Sequence, residues 1–185
     1  MNSPKKNILI TGPPGVGKTT LIKKVSEKLK DLCPVGFYTS EIREKGTRKG
    51  FELISFDGRR VTLAHADMKG PVSVGKYGVD IGGFEELLKS IPFLKPQGSL
   101  IIVDEIGKME CLSHKFTGLI KNILDSQKRV IAAVALKGGG TIEEVKERDD
   151  ITLIEITRDN RGSVAADILK MVQRQADPLL WSVAE

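Results

Sequence analysis

Eight residues near the start of the chain, Gly12-Pro13-Pro14-Gly15-Val16-Gly17-Lys18-Thr19, have the spacing G-x-x-x-x-G-K-[ST]. The chemistry this spacing serves is the grip of a polyphosphate. Gly15 and Gly17 let the backbone curl so that successive N–H groups point inward as an anion nest, and they leave room where a Cβ would hold oxygen away. Pro13 and Pro14 stiffen the loop. A helix beginning near Lys18 aims its unpaired N–H groups and positive dipole end at the same anion. Lys18 is expected to set its ammonium between β- and γ-phosphates, and Thr19 to offer its hydroxyl to Mg²⁺. For this composition, chance supplies about 0.02 such matches in a chain of this length. A Gly-rich turn with an incidental surface lysine is therefore the poorer reading.

A phosphate loop of this kind needs a carboxylate at the end of a neighbouring buried strand. Leu100-Ile101-Ile102-Val103-Asp104-Glu105 supplies four apolar residues and then two acids. Asp104 is the metal candidate, and Glu105 is placed to orient or deprotonate a water attacking the γ-phosphorus. Asp104-Glu105-Ile106-Gly107 also fits the D-x-x-G switch of regulatory GTPases, but a guanine-reading N-K-x-D is missing from the sequence. Lys108 and Glu110 continue the segment and read as solvated charges. Arg161, beside Asn160, is expected to open the last helix just beyond a strand end, where a guanidinium could stabilise charge on a transferring phosphoryl group. Arg43, Arg48, Arg59 and Arg60 read as exposed, His65 and His114 as surface residues without metal-ligand spacing, and Tyr77 as part of a loop.

The elements that must hold these groups follow from hydrophobic pattern and punctuation. Asn7–Thr11 reads as a buried strand and Lys18–Lys30 as a helix with Leu21, Ile22, Val25 and Leu29 on one stripe. Val35–Ile42, Phe51–Phe56 and Arg60–Leu63 read as strands of an antiparallel insertion over about residues 35–65, with Asp57-Gly58 as a hairpin turn. Pro71–Gly83 reads as irregular and Phe84–Ile91 as a short helix. Strand and helix then alternate: Ser99–Val103, Ser113–Ser126, Arg129–Ala135, Thr141–Arg148, Ile151–Thr157 and Arg161–Gln175. Thr141 and Glu144 have capping-box spacing. The alternation predicts one α/β domain over residues 1–185, with a mostly parallel sheet, helices on both faces, a small antiparallel hairpin insertion and a tail from Asp177 carrying Trp181.

Composition bounds the alternatives. The chain has 185 residues, 29 Lys or Arg against 24 Asp or Glu, and 5% aromatic residues. Residues 1–50 carry 11 of those cations and 4 of the acids, so the positive surplus surrounds the phosphate loop. No apolar run approaches the roughly 18 residues of a membrane helix. The basic start lacks the apolar stretch of a signal peptide. Cys33 and Cys111 belong to no metal-binding or disulfide pattern. A cytoplasmic monomer with reduced thiols is expected. Few aromatics and no interleaved basic and aromatic strand argue against nucleic acid as a partner.

Several motifs together resemble one family. They are Gly12 to Thr20, Gly36-Phe37-Tyr38-Thr39 with Glu41 and Arg43, Gly50-Phe51, Val74-Gly75 with Tyr77, Val79 and Asp80, Phe84-Glu85, Asp104 to Glu110 (DEIGKME), and Asn160-Arg161. This set is similar to the small nucleoside-triphosphatase family of thermophiles that includes the cancer-related nucleoside triphosphatase, over roughly Ile8 to Val172. The resemblance implies a RecA-like P-loop fold and slow, Mg²⁺-dependent hydrolysis of several NTPs to NDP and phosphate with loose base preference. It also carries nucleotide contacts onto Gly12, Pro13, Pro14, Gly15, Val16, Gly17, Lys18 and Thr19, and onto Leu100, Ile101, Ile102, Val103, Asp104, Glu105, Ile106 and Gly107. Two other readings of the same residues are a nucleotide or small-molecule kinase and a nucleotide-gated binding protein. With no separate acceptor domain in the sequence, water is the favoured acceptor.

Overall fold

The computed structural model describes residues 5–96 and 99–176; the tail from Asp177, with Trp181, lies outside them. Nine strands form one sheet in the order β5-β6-β4-β3-β2-β7-β8-β1-β9. They are β1 (Asn7–Thr11), β2 (Val35–Glu44), β3 (Thr47–Ser55), β4 (Arg60–His65), β5 (Ser73–Val74), β6 (Tyr77–Val79), β7 (Leu100–Ile106), β8 (Arg129–Val134) and β9 (Ile151–Glu155). The helices are α1 (Lys18–Lys28), α2 (Ile81–Ser90), α3 (His114–Asp125), α4 (Thr141–Lys146) and α5 (Val164–Ala176).

Strands β2, β7, β8, β1 and β9 run parallel. The central ones read as continuous apolar runs because both faces are covered. On one face Leu9, Phe37, Val103 and Ala132 pack with Phe84, Phe116, Ile120 and Ile142 from α2, α3 and α4. On the other, Ile8, Ile10, Ile102 and Ile131 pack with Leu21, Ile22, Val25 and Ile168 from α1 and α5. The α/β layering and helices on both faces are therefore as expected.

The sheet is mixed rather than mostly parallel. β2 pairs antiparallel with β3, β3 with β4, β4 with β6 and β6 with β5. The insertion thus reaches Val79, beyond the small hairpin expected. Pro71–Gly83 was unreadable as strand because β5 and β6 are only two and three residues long, too short to show an alternation. β3 starts at Thr47, since the first turn closes at Lys45-Gly46, where both residues have positive φ.

Two helix starts and one expected cap also differ, while α4 starts at Thr141 as expected. α2 begins at Ile81, where the Asp80 carboxylate caps by accepting from the Gly83 amide at 2.9 Å. α4 has Gly140 at its N-cap without a side-chain cap; Thr141 is already helical, and Glu144 reaches Lys121 at 2.9 Å, so no capping box forms. α5 begins at Val164, not Arg161. The Asn160 side chain closes a turn first, accepting from the Thr157 amide and donating to the Glu155 carbonyl, both at 2.8 Å.

Close approach between β2 and β7 gives one prediction. Gly36 has φ 135°, and a Cβ there would stand 1.8 Å from the Ile102 carbonyl oxygen. Neither strand can move without opening the core. Gly36→Ala is expected to lower stability by about 3 kcal/mol in urea unfolding; a loss under about 1 kcal/mol would show that the strands yield there.

Candidate active site

The parallel strands deliver their C-terminal ends to one edge. β1 ends at Thr11 and the phosphate loop follows; β7 ends with Asp104, Glu105 and Ile106. Pairing of both with β8 places these ends near each other, Ile8 and Ile102 sharing Ile131 as their β8 partner. Beyond β9, Ile156 donates its amide to the Thr11 carbonyl at 2.8 Å, so the exit of that strand borders the start of the loop.

Within the loop, Val16 donates its amide to the Pro13 carbonyl at 3.3 Å, and Gly17 adopts φ 112°, a conformation that glycine reaches without strain. Gly17 is the N-cap of α1 and offers no side-chain cap, so the first-turn amides remain available to an anion. Pro13, Pro14 and Gly15 are exposed, whereas Val16 packs into the core beneath them.

Lys18 ties the two chain segments together. Its ammonium donates to the Gly12 carbonyl at 3.0 Å and lies 3.8 Å from Glu105 Oε1. Its side chain is 8% exposed, against 31% for Glu105. Burial raises the Glu105 carboxyl above its ordinary range, Lys18 opposes that rise, and Asp104 adds to it. Asp104 is fully buried, and burial raises its carboxyl as well, opposed by the Thr19 side chain, the Thr39 amide and the ammonium groups of Lys18 and Lys23. Asp104 Oδ2 accepts from the Thr39 amide at 3.2 Å, while Oδ1 is buried without a hydrogen-bond partner. Thr11 Oγ1, at the end of β1, is likewise buried and unpartnered. Unsatisfied oxygens at the mouth of a phosphate loop mark places where a ligand, water or cation completes the coordination.

The structure thus brings Lys18, Thr19, Asp104 and Glu105 together. Arg161 is exposed in the turn before α5, and its guanidinium has no hydrogen-bond or ion-pair partner among the described residues. Leu100, Ile101, Ile102, Val103 and Ile106 have zero exposure. Their side chains fill the two core layers beneath the acids. Arg43 and Arg48 both pair with Glu41, Arg59 with Asp57 and Arg60 with Glu52, all as exposed ion pairs. Tyr77 lies in β6, edge-on to Phe51 at 5.3 Å between ring centroids. Among the described residues, no group of three or more His, Cys, Asp or Glu side chains forms a metal cluster, and no helix is long and apolar enough to cross a membrane.

Glu110 departs most from expectation. It is 6% exposed, not solvated, in a short 3₁₀ turn after β7. Its carboxyl folds back on the Gly107 amide, so close that a Cβ on Gly107 would lie 2.8 Å from Oε2. Burial, aided by the neighbouring Glu105 and Asp104, pushes this carboxyl up to about 8. Such a group favours the fold while protonated. Its contribution is complete below the unfolded value near 4.5 and is lost as pH rises towards 8. Glu110→Gln, which keeps the neutral shape, is expected to flatten the decline in stability between pH 5 and 8 seen by urea unfolding of the ligand-free protein. An unchanged slope would show that Glu110 does not carry the proton.

A family model described as NTPase matches residues 7–169. Nucleoside-triphosphatase THEP1 of Thermotoga maritima is 45% identical over 167 residues, covering 90% of this chain and 95% of its own. The human cancer-related nucleoside-triphosphatase is 36% identical over 186 aligned positions, covering 91% and 97%. The crystal structure of THEP1 from Aquifex aeolicus matches with a TM-score of 0.80 at 35% identity, over 91% of this chain and 99% of that one. With the phosphate loop, the paired acids and the sheet that joins them all inside the matched span, the chain belongs to the NTPase family and is a nucleoside-triphosphatase.

Proposed function

We propose that this chain is a P-loop enzyme of RecA-like architecture that hydrolyses ATP, GTP and other NTPs to NDP and phosphate, with Mg²⁺ and with loose base preference. The observation that carries this reading is the reach of Lys18 from the loop to Glu105 at 3.8 Å, which sets a cation and a carboxylate side by side next to the phosphate loop. The residues converging there address phosphate, cation or water. None presents a pattern for reading a base edge, and that supports broad base use.

Asp104 supports a cation site on its own geometry: one oxygen is held by protein and the other is buried without a partner near the Thr19 side chain. Thr19 and Asp104 would hold Mg²⁺, Asp104 in part through water. When bound, Mg²⁺ supplies charge neutralisation on the phosphate oxygens. The loop amides from Gly15 to Thr19 and the dipole end of α1 hold the β-phosphate. Lys18 stabilises charge on the β- and γ-oxygens as the bond between them breaks. Glu105, ionised and partly exposed, accepts a proton from the water whose oxygen bonds to the γ-phosphorus; the β–γ bridging bond breaks and NDP leaves with its electron pair. Arg161, exposed and unpartnered, has no step in this scheme.

Phosphate release from ATP, GTP, CTP and UTP, each with Mg²⁺ or with EDTA, tests the proposal. Release from all four within about tenfold, abolished by EDTA, is the expected result. Strict use of one base, or equal release in EDTA, would contradict it.

A further inference from the structure

Thr39 stands where β2 parts from β7. The parallel register runs Val35 to Ile101, Gly36 to Ile102 and Phe37 to Val103, and ends there; beyond it β2 continues beside β3 alone, with Thr39 opposite Leu53. At this fork Thr39 makes two bonds to one residue. Its amide donates to Asp104 Oδ2 at 3.2 Å, and its hydroxyl donates to the Asp104 main-chain carbonyl. That carbonyl belongs to the peptide joining Asp104 to Glu105. One side chain and one amide of β2 therefore fix the direction of the Asp104 carboxylate and the start of the Glu105 backbone.

The effect on Asp104 is selective. A carboxylate has two oxygens, and in a fully buried position each needs a partner. Thr39 supplies the partner of Oδ2 and leaves Oδ1 unpartnered at zero exposure of the residue. Without the hydroxyl, the Asp104 carbonyl would lose its side-chain donor, and the strand end would be free to rotate its carboxylate away from the Thr39 amide and towards the Lys18 ammonium. Outer partners of metal-ligating carboxylates act in this way, setting affinity through orientation without touching the ion.

We infer that Thr39 is a positioning residue for the cation site: it clamps Asp104 at both carboxylate and carbonyl, so that Oδ1 alone is presented to Mg²⁺, and it makes the foot of the β2–β3 ribbon part of the active site. The inference rests on the Mg²⁺ role proposed for Asp104. Thr39 stands in one of the motifs of the family resemblance, but no spacing in the sequence shows this role, because Thr39 and Asp104 are 65 positions apart and meet only through the β2–β7 register.

The test compares wild type, Thr39→Val and Thr39→Ser by the binding of a fluorescent, non-hydrolysable ATP analogue, titrated with Mg²⁺ from an EDTA baseline. Mn²⁺ binding by EPR in the presence of the same analogue gives a second readout, and circular dichroism checks that each variant is folded. Thr39→Val is expected to bind the analogue in EDTA as the wild type does, while the Mg²⁺ concentration giving half of the added affinity rises by about tenfold or more. Thr39→Ser, which keeps the hydroxyl, is expected to restore the wild-type response to within about twofold. A wild-type Mg²⁺ response in folded Thr39→Val overturns the inference alone, as does a Thr39→Ser response as weak as that of Thr39→Val. Loss of analogue binding already in EDTA overturns it too, by showing a disturbed phosphate loop. No Mg²⁺ response in the wild type overturns the cation reading of Asp104 itself.

Discussion

Lys18→Ala is expected to weaken NTP binding by about 100-fold, the loss of one or two charge-assisted hydrogen bonds to phosphate. The ammonium is 8% exposed and, in the ligand-free protein, is held by the Gly12 carbonyl and by Glu105. A phosphate entering the loop takes over a cation that is already in place, with little further ordering of its side chain. The same substitution removes the positive charge that holds the Glu105 carboxyl down against burial. The carboxyl then needs a higher pH to ionise, so the acidic limb of the residual turnover profile moves to higher pH. Isothermal titration with a non-hydrolysable analogue measures the first effect, and the pH dependence of single-turnover hydrolysis at saturating nucleotide measures the second. Affinity within about threefold of wild type would remove Lys18 from the phosphate site.

Glu105→Gln is expected to separate binding from chemistry. The amide keeps the size of the carboxyl and a polar contact near Lys18, so nucleotide affinity stays within a few-fold. Turnover at saturation falls by about 10²–10⁴, the usual range for removing a positioned general base. The limb of the pH profile that reports Glu105 ionisation disappears with it. Burial raises this carboxyl, so in the wild type activity is lost as pH falls through a value above the ordinary glutamate range. Turnover unchanged in Glu105→Gln would assign water activation elsewhere. A loss of binding as large as that of Lys18→Ala would make Glu105 a nucleotide or metal ligand.

What was legible in the sequence was what is encoded locally. The phosphate loop announces itself within eight residues, because the tight curl and the cation must lie side by side along the chain. Asp104 and Glu105 could be found because a buried strand leaves a continuous apolar run before its polar end. The α/β alternation and the two covered faces followed from the same pattern. The antiparallel half of the sheet was only partly visible: β5 and β6 are too short for periodicity, and β3 extends through Thr47, Arg48 and Lys49, whose polarity hides a ribbon with little buried surface. The start of α5 was displaced by an Asn160 turn that looks, in sequence, like a helix cap. Thr39 and Glu110 were missed as parts of the site for a deeper reason. Thr39 acts across a strand register and Glu110 by folding back beneath Gly107, and neither relation leaves a spacing to read.

The charge distribution gains a physical context from the same geometry. Of the cations crowded into residues 1–50, Lys18 is buried at the site and Lys23 lies 4.4 Å over the Tyr38 ring, beside the strand that carries Thr39. Arg43 and Arg48 share the Glu41 carboxylate in exposed ion pairs. The surplus is therefore divided between the site and ordinary surface ion pairs, which contribute little to stability on their own.

The central claim is that water, activated beside Lys18 and Glu105, attacks the γ-phosphorus of a bound NTP. Hydrolysis of ATP with Mg²⁺ in ¹⁸O-labelled water, followed by mass spectrometry of both products, tests it most directly. One solvent oxygen is expected in the released phosphate, none in ADP, and no labelled product from Glu105→Gln on the same time scale. Label in ADP, or release that requires an added acceptor other than water, would contradict it.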